Sequence, residues 1–159
     1  MVAGIGLDRG GGAWSDRGVE LTKQFSDEQF AAALESWSWL DLRGKTPRFA
    51  SLFGNVFLED SAGGWWFLDT FGGELVPGWA GRDELVAELG TQDGQDQYLQ
   101  GVLATAAFHR RGLSLNDDEV YGYAPPPVVT GSFAVEEIQV FRFTVVVGVA
   151  GQLHRQLRD

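Results

Sequence analysis

Residues 55–76 read NVFLEDSAGGWWFLDTFGGELV, and this stretch decides the predicted fold. The runs at 55–59 and 64–69 have the apolar composition of strands, and the polar turn Asp60–Gly63 between them has the length of a hairpin loop. A third short run follows at 74–76. The pattern therefore predicts three antiparallel strands joined by tight turns.

Apolar side chains occupy both faces of these predicted strands. Because successive side chains of a strand point to opposite faces, one face carries Val56, Leu58, Trp66 and Leu68, and the other carries Trp65 and Phe67. Sheets that present aromatic residues on both faces are typically covered on both. We therefore expect both faces of this sheet to be buried.

Three helices are predicted on either side of these strands in the chain. Ser26 and Gln29 fit a capping box, and the helix that they open should end near residues 42–44. The segment Arg82–Leu89 carries acidic residues in its first turn, as the helix dipole favours. A longer helix is predicted from about residue 93 to residue 111.

The C-terminal stretch allows two readings. Residues 137–141 have the pattern of a strand, and apolar residues then recur at helical spacing as far as Leu157. The run Val145–Val147 favours a strand by its β-branched composition. We expect a strand to about residue 141 and then a helix, with a continued strand over residues 142–157 as the alternative.

These elements predict an α+β fold, in which a small antiparallel sheet is packed with helices in a single domain. Residues 1–18 include Gly10–Gly12 and show little periodicity, so they are expected to form a poorly ordered N-terminal lead. Residues 19–159 are expected to form the domain. At 159 residues, the chain is long enough to bury about two-thirds of its unfolded surface.

The composition narrows the class of protein. The chain has no cysteine, which excludes disulfides and thiolate chemistry and is compatible with a reducing compartment. It has no signal-like N-terminus and no apolar stretch near the ~20 residues that span a bilayer. We therefore expect a cytoplasmic protein without a membrane partner.

No pattern of catalytic or metal-binding residues is present in the sequence. Its two histidines, His109 and His154, do not form a paired metal motif, and no Gly-x-Ser-x-Gly elbow occurs. The acidic loop around Asp117 lacks the spaced ligands of a calcium site. The sequence therefore predicts a protein that is not an enzyme and that holds no cofactor or metal.

Negative charge is concentrated in the middle of the chain. The formal net charge is −10, and residues 59–119 hold twelve acidic side chains against three basic ones. Such a field repels nucleic-acid phosphates and attracts cationic partners, which predicts no direct binding of nucleic acid. The alternative is that the acidic surface only keeps the protein in solution.

Several short motifs follow one another along the chain in an order that is typical of one protein family. They are Phe53–Leu58, Trp65–Thr70, Gly72–Leu75, Tyr121–Pro127, Gly131, Glu137, Ile138 and Gly151–Gln156. Over residues 26–159 the chain resembles the C-terminal domain of type VI secretion immunity proteins, which neutralise DNase toxins. We expect no counterpart here of the domain that precedes it in those proteins.

This resemblance implies a binding protein that needs no catalytic residue. We expect the chain to neutralise a cognate toxin, such as a basic nuclease, by binding it and occluding its active site or substrate groove. Two alternatives stay open: an intracellular protein-interaction module without a toxin, and a small-molecule enzyme that the sequence does not reveal.

The contact surface is predicted from charge and rigidity. Asp117, Asp118 and Glu119 supply negative charge, and the proline turn with Pro125 and Pro126, expected beside them, supplies a rigid exposed loop. The tip of the predicted hairpin, at Asp60 and Ser61, is the second choice.

Overall fold

A computed structural model describes residues 14–158 of the chain. Its strands are β1 (Ser15–Asp16), β2 (Val19–Glu20), β3 (Thr22–Lys23), β4 (Lys45–Ser51), β5 (Val56–Asp60), β6 (Trp65–Asp69), β7 (Glu74–Trp79), β8 (Glu119–Tyr123) and β9 (Ile138–Arg142). Its α-helices are α1 (Asp27–Leu34), α2 (Arg82–Leu89), α3 (Gln92–Leu99), α4 (Gly101–Thr105), α5 (Pro127–Thr130) and α6 (Phe143–Arg158). The predicted α+β fold is confirmed.

The central sheet is an antiparallel meander of five strands in the order β3-β4-β5-β6-β7, and β1-β2 and β8-β9 form two small sheets. The predicted hairpin is the β5–β6 pair, with Val56 opposite Leu68 and Leu58 opposite Trp66. Because the side-chain period of a strand is two, this register places all four on one face.

Both faces of the meander are covered, as predicted. One face packs in a cluster with Phe30 of α1, Trp37 of the turn that follows α1, and Phe143 of α6. The other face packs in a cluster with residues of α2, α3 and α4, including Leu85 and Leu99. Burying each side chain of this size contributes about 1.5–3 kcal/mol, so the two clusters fix the sheet between two helical layers.

The first helix begins as predicted and ends earlier than predicted. Ser26 and Gln29 form the reciprocal capping box, at 3.1 and 2.8 Å. A 3₁₀ turn then ends at Trp37, so the predicted end at residues 42–44 is wrong. Strand β4 follows and was not predicted, because Pro47 lowers strand propensity; the register of β4 and β5 shifts between Pro47 and Phe49.

The long helix predicted over residues 93–111 is wrong as a single element. Gln100 has φ +51°, which separates α3 from α4, and a π-helical turn follows at Ala106–Arg110. The Gln100 side chain accepts a hydrogen bond of 3.4 Å from Asn55 Nδ2, a residue of the central sheet region. The break between α3 and α4 therefore coincides with a contact between two residues that are distant in sequence.

At the C-terminus, the prediction of a strand followed by a helix is confirmed by β9 and α6, and the continued-strand alternative is wrong. At the N-terminus, the expected lead falls partly on residues 1–13, outside the described residues. Over residues 14–20, β1 pairs with β2 in a hairpin, and Trp14 is 4% exposed with its ring 5.4 Å from Phe49. Within residues 14–158, no helix is long and apolar enough to cross a bilayer.

Candidate functional site

The predicted acidic contact residues lie in a turn that is tied to the sheet. Lys23 Nζ donates hydrogen bonds to the backbone oxygens of Asn116 (2.6 Å) and Glu119 (2.7 Å). Burial lowers the pKa of Lys23, and the carboxylates of Asp117, Glu119 and Asp118 act in the opposite direction. The Glu119 carboxylate accepts from Asn116 N at 2.8 Å, so it is used inside the turn, whereas Asp117 and Asp118 are exposed.

The predicted proline turn lies at the other end of β8 from the acidic turn. Glu119 begins the strand, the strand extends about 13 Å to Tyr123 at the usual rise per residue, and Pro125 follows its end. Pro125 is exposed and Pro126 is half-buried, while Pro127 is buried and begins α5. The expectation that the proline turn lies beside the acidic residues is therefore wrong.

The predicted hairpin tip is a third, separate place. Asp60 Oδ1 accepts from the backbone of Ala62 and Gly64 at 2.9 Å, and its Oδ2 accepts from Trp66 Nε1 at 2.8 Å. These bonds, first of all the one from Trp66, lower the pKa of Asp60. Ser61 is exposed. The tip lies opposite Lys45 at the start of β4, whereas Lys23 and its acidic turn lie near the end of that strand.

A larger acidic surface lies on α2 and α3, which we call the acidic helix pair. Its five carboxylates belong to Asp83, Glu84, Glu88, Asp93 and Asp96, and Arg82 is the only basic residue on the two helices. None of the five forms an ion pair with a described residue. The sequence analysis counted these acids in the charged middle of the chain but did not single out the two helices as one surface, because three of the five lie in a first helical turn, where the helix dipole explains them.

A second feature that sequence reasoning missed is an apolar cleft between the proline turn and α6, which we call the α6 cleft. Its volume is about 60 Å³, and its lining includes Phe71, Tyr123, Pro126, Val146, Ala150 and Leu153. The last three α6 positions recur at i, i+4 and i+7, so they lie on one helical face. That spacing was visible in the sequence, but the surface that it meets was not.

Three buried polar side chains line this cleft, namely those of Thr70, Tyr123 and His154. His154 is fixed, because its Nε2 donates a hydrogen bond of 3.0 Å to the backbone oxygen of Thr70. Tyr123 is 3% exposed, and its hydroxyl has no hydrogen-bond partner among residues 14–158. Burial raises the pKa of Tyr123 to about 12, so the hydroxyl keeps its proton at neutral pH. By contrast, the hydroxyl of Tyr121 donates to Leu113 O at 2.5 Å.

The histidine and the acidic residues that the sequence analysis considered for catalysis or metal binding form no such site among residues 14–158. His109 is exposed, and its Nε2 lies 3.0 Å from the backbone oxygen of Arg17. In the described part of the chain, no group of three or more His, Asp or Glu side chains is placed to hold a metal ion.

No protein-family model matches the chain, and no curated protein matches it. The resemblance to immunity proteins therefore stays a prediction.

Proposed function

We propose that this chain is a binding protein that neutralises a basic protein toxin, in the manner of an immunity protein against a nuclease. It acts in the cytoplasm by covering the toxin's active site or substrate groove, and it performs no chemistry itself. The toxin class follows from charge: a nuclease that holds nucleic-acid phosphates needs a cationic groove, and an acidic protein surface can occupy that groove in their place.

The observation that carries this proposal is the uncompensated charge of the acidic helix pair. Its five carboxylates lie on two consecutive helices that are joined at Gly90 and Thr91. Thr91 Oγ1 donates to Glu88 O at 2.7 Å, and Gln95 Nε2 donates to Leu89 O at 3.1 Å, so the two helices are tied together. Charges of one sign raise the rate of encounter with a cationic partner, and the tied helices keep the backbone that carries them in place.

The test is neutralisation in cells. The chain is used to capture partners from its host at low and then moderate salt, and each basic protein that is retained is expressed alone and together with the chain. We expect one near-stoichiometric partner that is toxic alone and harmless in co-expression. If every retained protein is harmless when expressed alone, the immunity proposal fails and the interaction-module alternative is favoured.

A matched variant separates binding from a general effect of expression. Asp83→Lys with Glu84→Lys reverses charge on the acidic helix pair, and Asp27→Lys with Glu28→Lys reverses charge in the first turn of α1. Both pairs of substitutions place lysines at a helix N-terminus, so their cost through the helix dipole is similar. Only the first variant should lose protection against the toxin.

A further inference from the structure

The outward side of α6 is apolar where a surface helix is normally polar. In the first half of the helix, Phe143 and Val147 are buried in the cluster that covers the sheet, whereas Val145 is 51% exposed and Val149 is 44% exposed. A surface helix usually keeps its apolar residues in one stripe and its polar residues on the opposite side, and a helix that is apolar all round is usually covered. The outward side of α6 is therefore a candidate interaction surface.

This side of α6 borders an open groove between α6 and α1, which we call the α1/α6 groove. Its volume is about 550 Å³, and its lining comes from α1, the turn that follows α1, and α6. None of its lining residues is buried, and the Ser36 hydroxyl in the lining already donates to Gly148 O at 2.6 Å. A site for a metabolite normally encloses most of its ligand and offers convergent polar groups. The groove therefore fits an element of another protein chain better than a metabolite.

The groove contains both a hollow and projecting side chains. Ala32 is exposed, and a Cβ placed on Gly148 would meet no atom within 4 Å, so these two positions form the hollow. Val145 and Val149 project beside it. In a two-fold dimer the same patch of each copy meets itself, so the patch has to carry projections and the hollow that receives them. The shape of the α1/α6 groove meets this requirement.

Charge in this helical layer is divided by sign between the two helices. The charged residues of α1 and of the 3₁₀ turn Glu35–Trp37 are all acidic, and those of α6, Arg155 and Arg158, are basic. Glu35 and Arg155 line the groove, and neither forms an ion pair with a described residue. Glu35 also follows the last residue of α1, where the helix dipole disfavours an acid. A cation from another chain would offset this cost.

The charge of the groove favours a second copy of the chain as its occupant. The lining holds one acid and one base, so its net charge is zero in a chain whose net charge is −10. A strongly basic partner is attracted to the acidic helix pair instead, and a second copy is repelled by the acidic surfaces elsewhere. At the groove, Glu35 of each copy meets Arg155 of the other. Because a two-fold axis repeats every contact, two such pairs form.

We propose that the α1/α6 groove is the interface of a two-fold homodimer, in which the exposed valines of α6 in each copy pack over Ala32 and Gly148 of the other. Glu35 of each copy pairs with Arg155 of the partner subunit. The α1 and α6 layer covers one face of the central sheet and the acidic helix pair packs on the other, so each copy keeps its acidic helix pair outside the interface. The inference does not depend on the proposed function.

Sedimentation velocity over a range of concentrations tests the proposal, and we expect the natural chain to form dimers. Val145→Lys places two charges in the interface and should weaken dimerisation about 100-fold. Val102→Lys is the matched control, because it changes a valine that is 60% exposed on α4, in the opposite helical layer. It should leave the dimerisation constant unchanged. A natural chain that stays monomeric up to about 1 mM overturns the proposal, as does a dimer that keeps its affinity in both variants.

Exchange of the two charges tests the pairing of Glu35 with Arg155. Glu35→Arg and Arg155→Glu, each alone, should weaken dimerisation about tenfold, because like charges then meet twice. The double variant restores opposite charges and should return to within about threefold of the natural chain. Net charge alone gives a different result, since Glu35→Arg makes the chain less negative and Arg155→Glu makes it more negative. Single variants that shift dimerisation in opposite directions overturn the pairing.

A cysteine placed in the groove gives a comparison on one folded protein, should Val145→Lys fail to fold. The chain has no cysteine of its own, and Gln152 is an exposed residue of the lining. Gln152→Cys should dimerise like the natural chain, and a maleimide dye attached to it should prevent dimerisation. A labelled variant that still dimerises overturns the proposal. If the natural chain is monomeric and Val145→Lys abolishes neutralisation of a captured toxin, that toxin is the occupant and the proposal is also overturned.

Discussion

The indole Nε1 of Trp37 donates a hydrogen bond of 2.9 Å to the backbone oxygen of Val147, which joins the end of the first helical segment to the middle of α6. The contact is close because Gly151 lies against it. A Cβ on Gly151 would lie 2.9 Å from that same nitrogen and from the backbone oxygen of Ser36, and would overlap Ser36 Oγ. The missing side chain at this position lets the two helical segments approach.

Gly151→Ala should therefore destabilise the protein. Two of the three nearest neighbours are a backbone oxygen and a buried ring, which cannot move away cheaply, so we expect a loss of about 1–3 kcal/mol in the free energy of unfolding, measured by urea denaturation. Gly148→Ala, on the same helix with nothing within 4 Å of its Cβ, should raise it by up to about 1 kcal/mol. Equal effects at the two positions would contradict the packing argument.

Asn55 organises the turn regions on either side of the β5–β6 hairpin. It is buried, and its Oδ1 accepts from both the backbone nitrogen and the hydroxyl of Thr70, at 2.8 and 2.7 Å. Asn55→Ala leaves these donors unsatisfied, so the free energy of unfolding should fall by about 1–3 kcal/mol. Asn116→Ala, at an exposed position, is the control and should change it by less than about 0.5 kcal/mol.

The two buried tyrosines of β8 should respond oppositely to loss of their hydroxyls. Tyr121→Phe removes the hydrogen bond to Leu113 O and should lower the free energy of unfolding by about 1 kcal/mol. Tyr123→Phe removes a hydroxyl without a partner, so stability should stay the same or rise by up to about 1 kcal/mol. Chemical denaturation of both variants checks this; a destabilised Tyr123→Phe would show that its hydroxyl is satisfied.

Stability should fall at alkaline pH. Burial raises the pKa of Tyr121 and Tyr123 to about 12, whereas an unfolded tyrosine loses its proton near pH 10. Between about pH 10 and 12 the unfolded chain therefore binds fewer protons than the folded chain, and the free energy of unfolding decreases as pH rises. Denaturation at a series of pH values should show this decrease, and a variant with both residues changed to Phe should show less of it.

The acidic helix pair should set the association rate with the partner. Asp83→Lys with Glu84→Lys should slow association by about tenfold at low salt, because the steering field is weakened, and should flatten its dependence on salt. Stopped-flow kinetics of binding to the toxin that the chain neutralises measure the association rate and its dependence on salt. The α1 control, Asp27→Lys with Glu28→Lys, should keep the salt dependence of the natural chain. If the association rate of the natural chain does not change with salt concentration, the acidic helix pair does not steer association.

Local sequence signals predicted the elements whose ends are set by neighbouring residues. The helix predicted over Arg82–Leu89 forms over those residues, and Ser26 and Gln29 form the expected capping box. The β5–β6 hairpin follows its turn residues, since Asp60 bonds the turn backbone directly. In each case the interactions that define the element lie within a few residues of one another.

Elements that depend on distant contacts were predicted less well. The break at Gln100 accompanies a contact with Asn55, and the early end of the first helix accompanies the bond from Trp37 to Val147. Strand β4 carries Pro47, which lowers strand propensity, and it is held by pairing with β3 and β5. These signals come from segments that meet only after folding.

The candidate surfaces show the same division. The fold class, the negative charge and the apolar face of α6 could be predicted from the sequence, because composition and periodicity act along the chain. The separation of Asp117 from Pro125 along β8, the hydrogen bonds that Asp60 accepts within its own turn, and the cleft between α6 and the proline turn became visible in the folded chain. The physical reason is that a surface is made by residues from several elements, and their distances are fixed by packing rather than by their order in the chain.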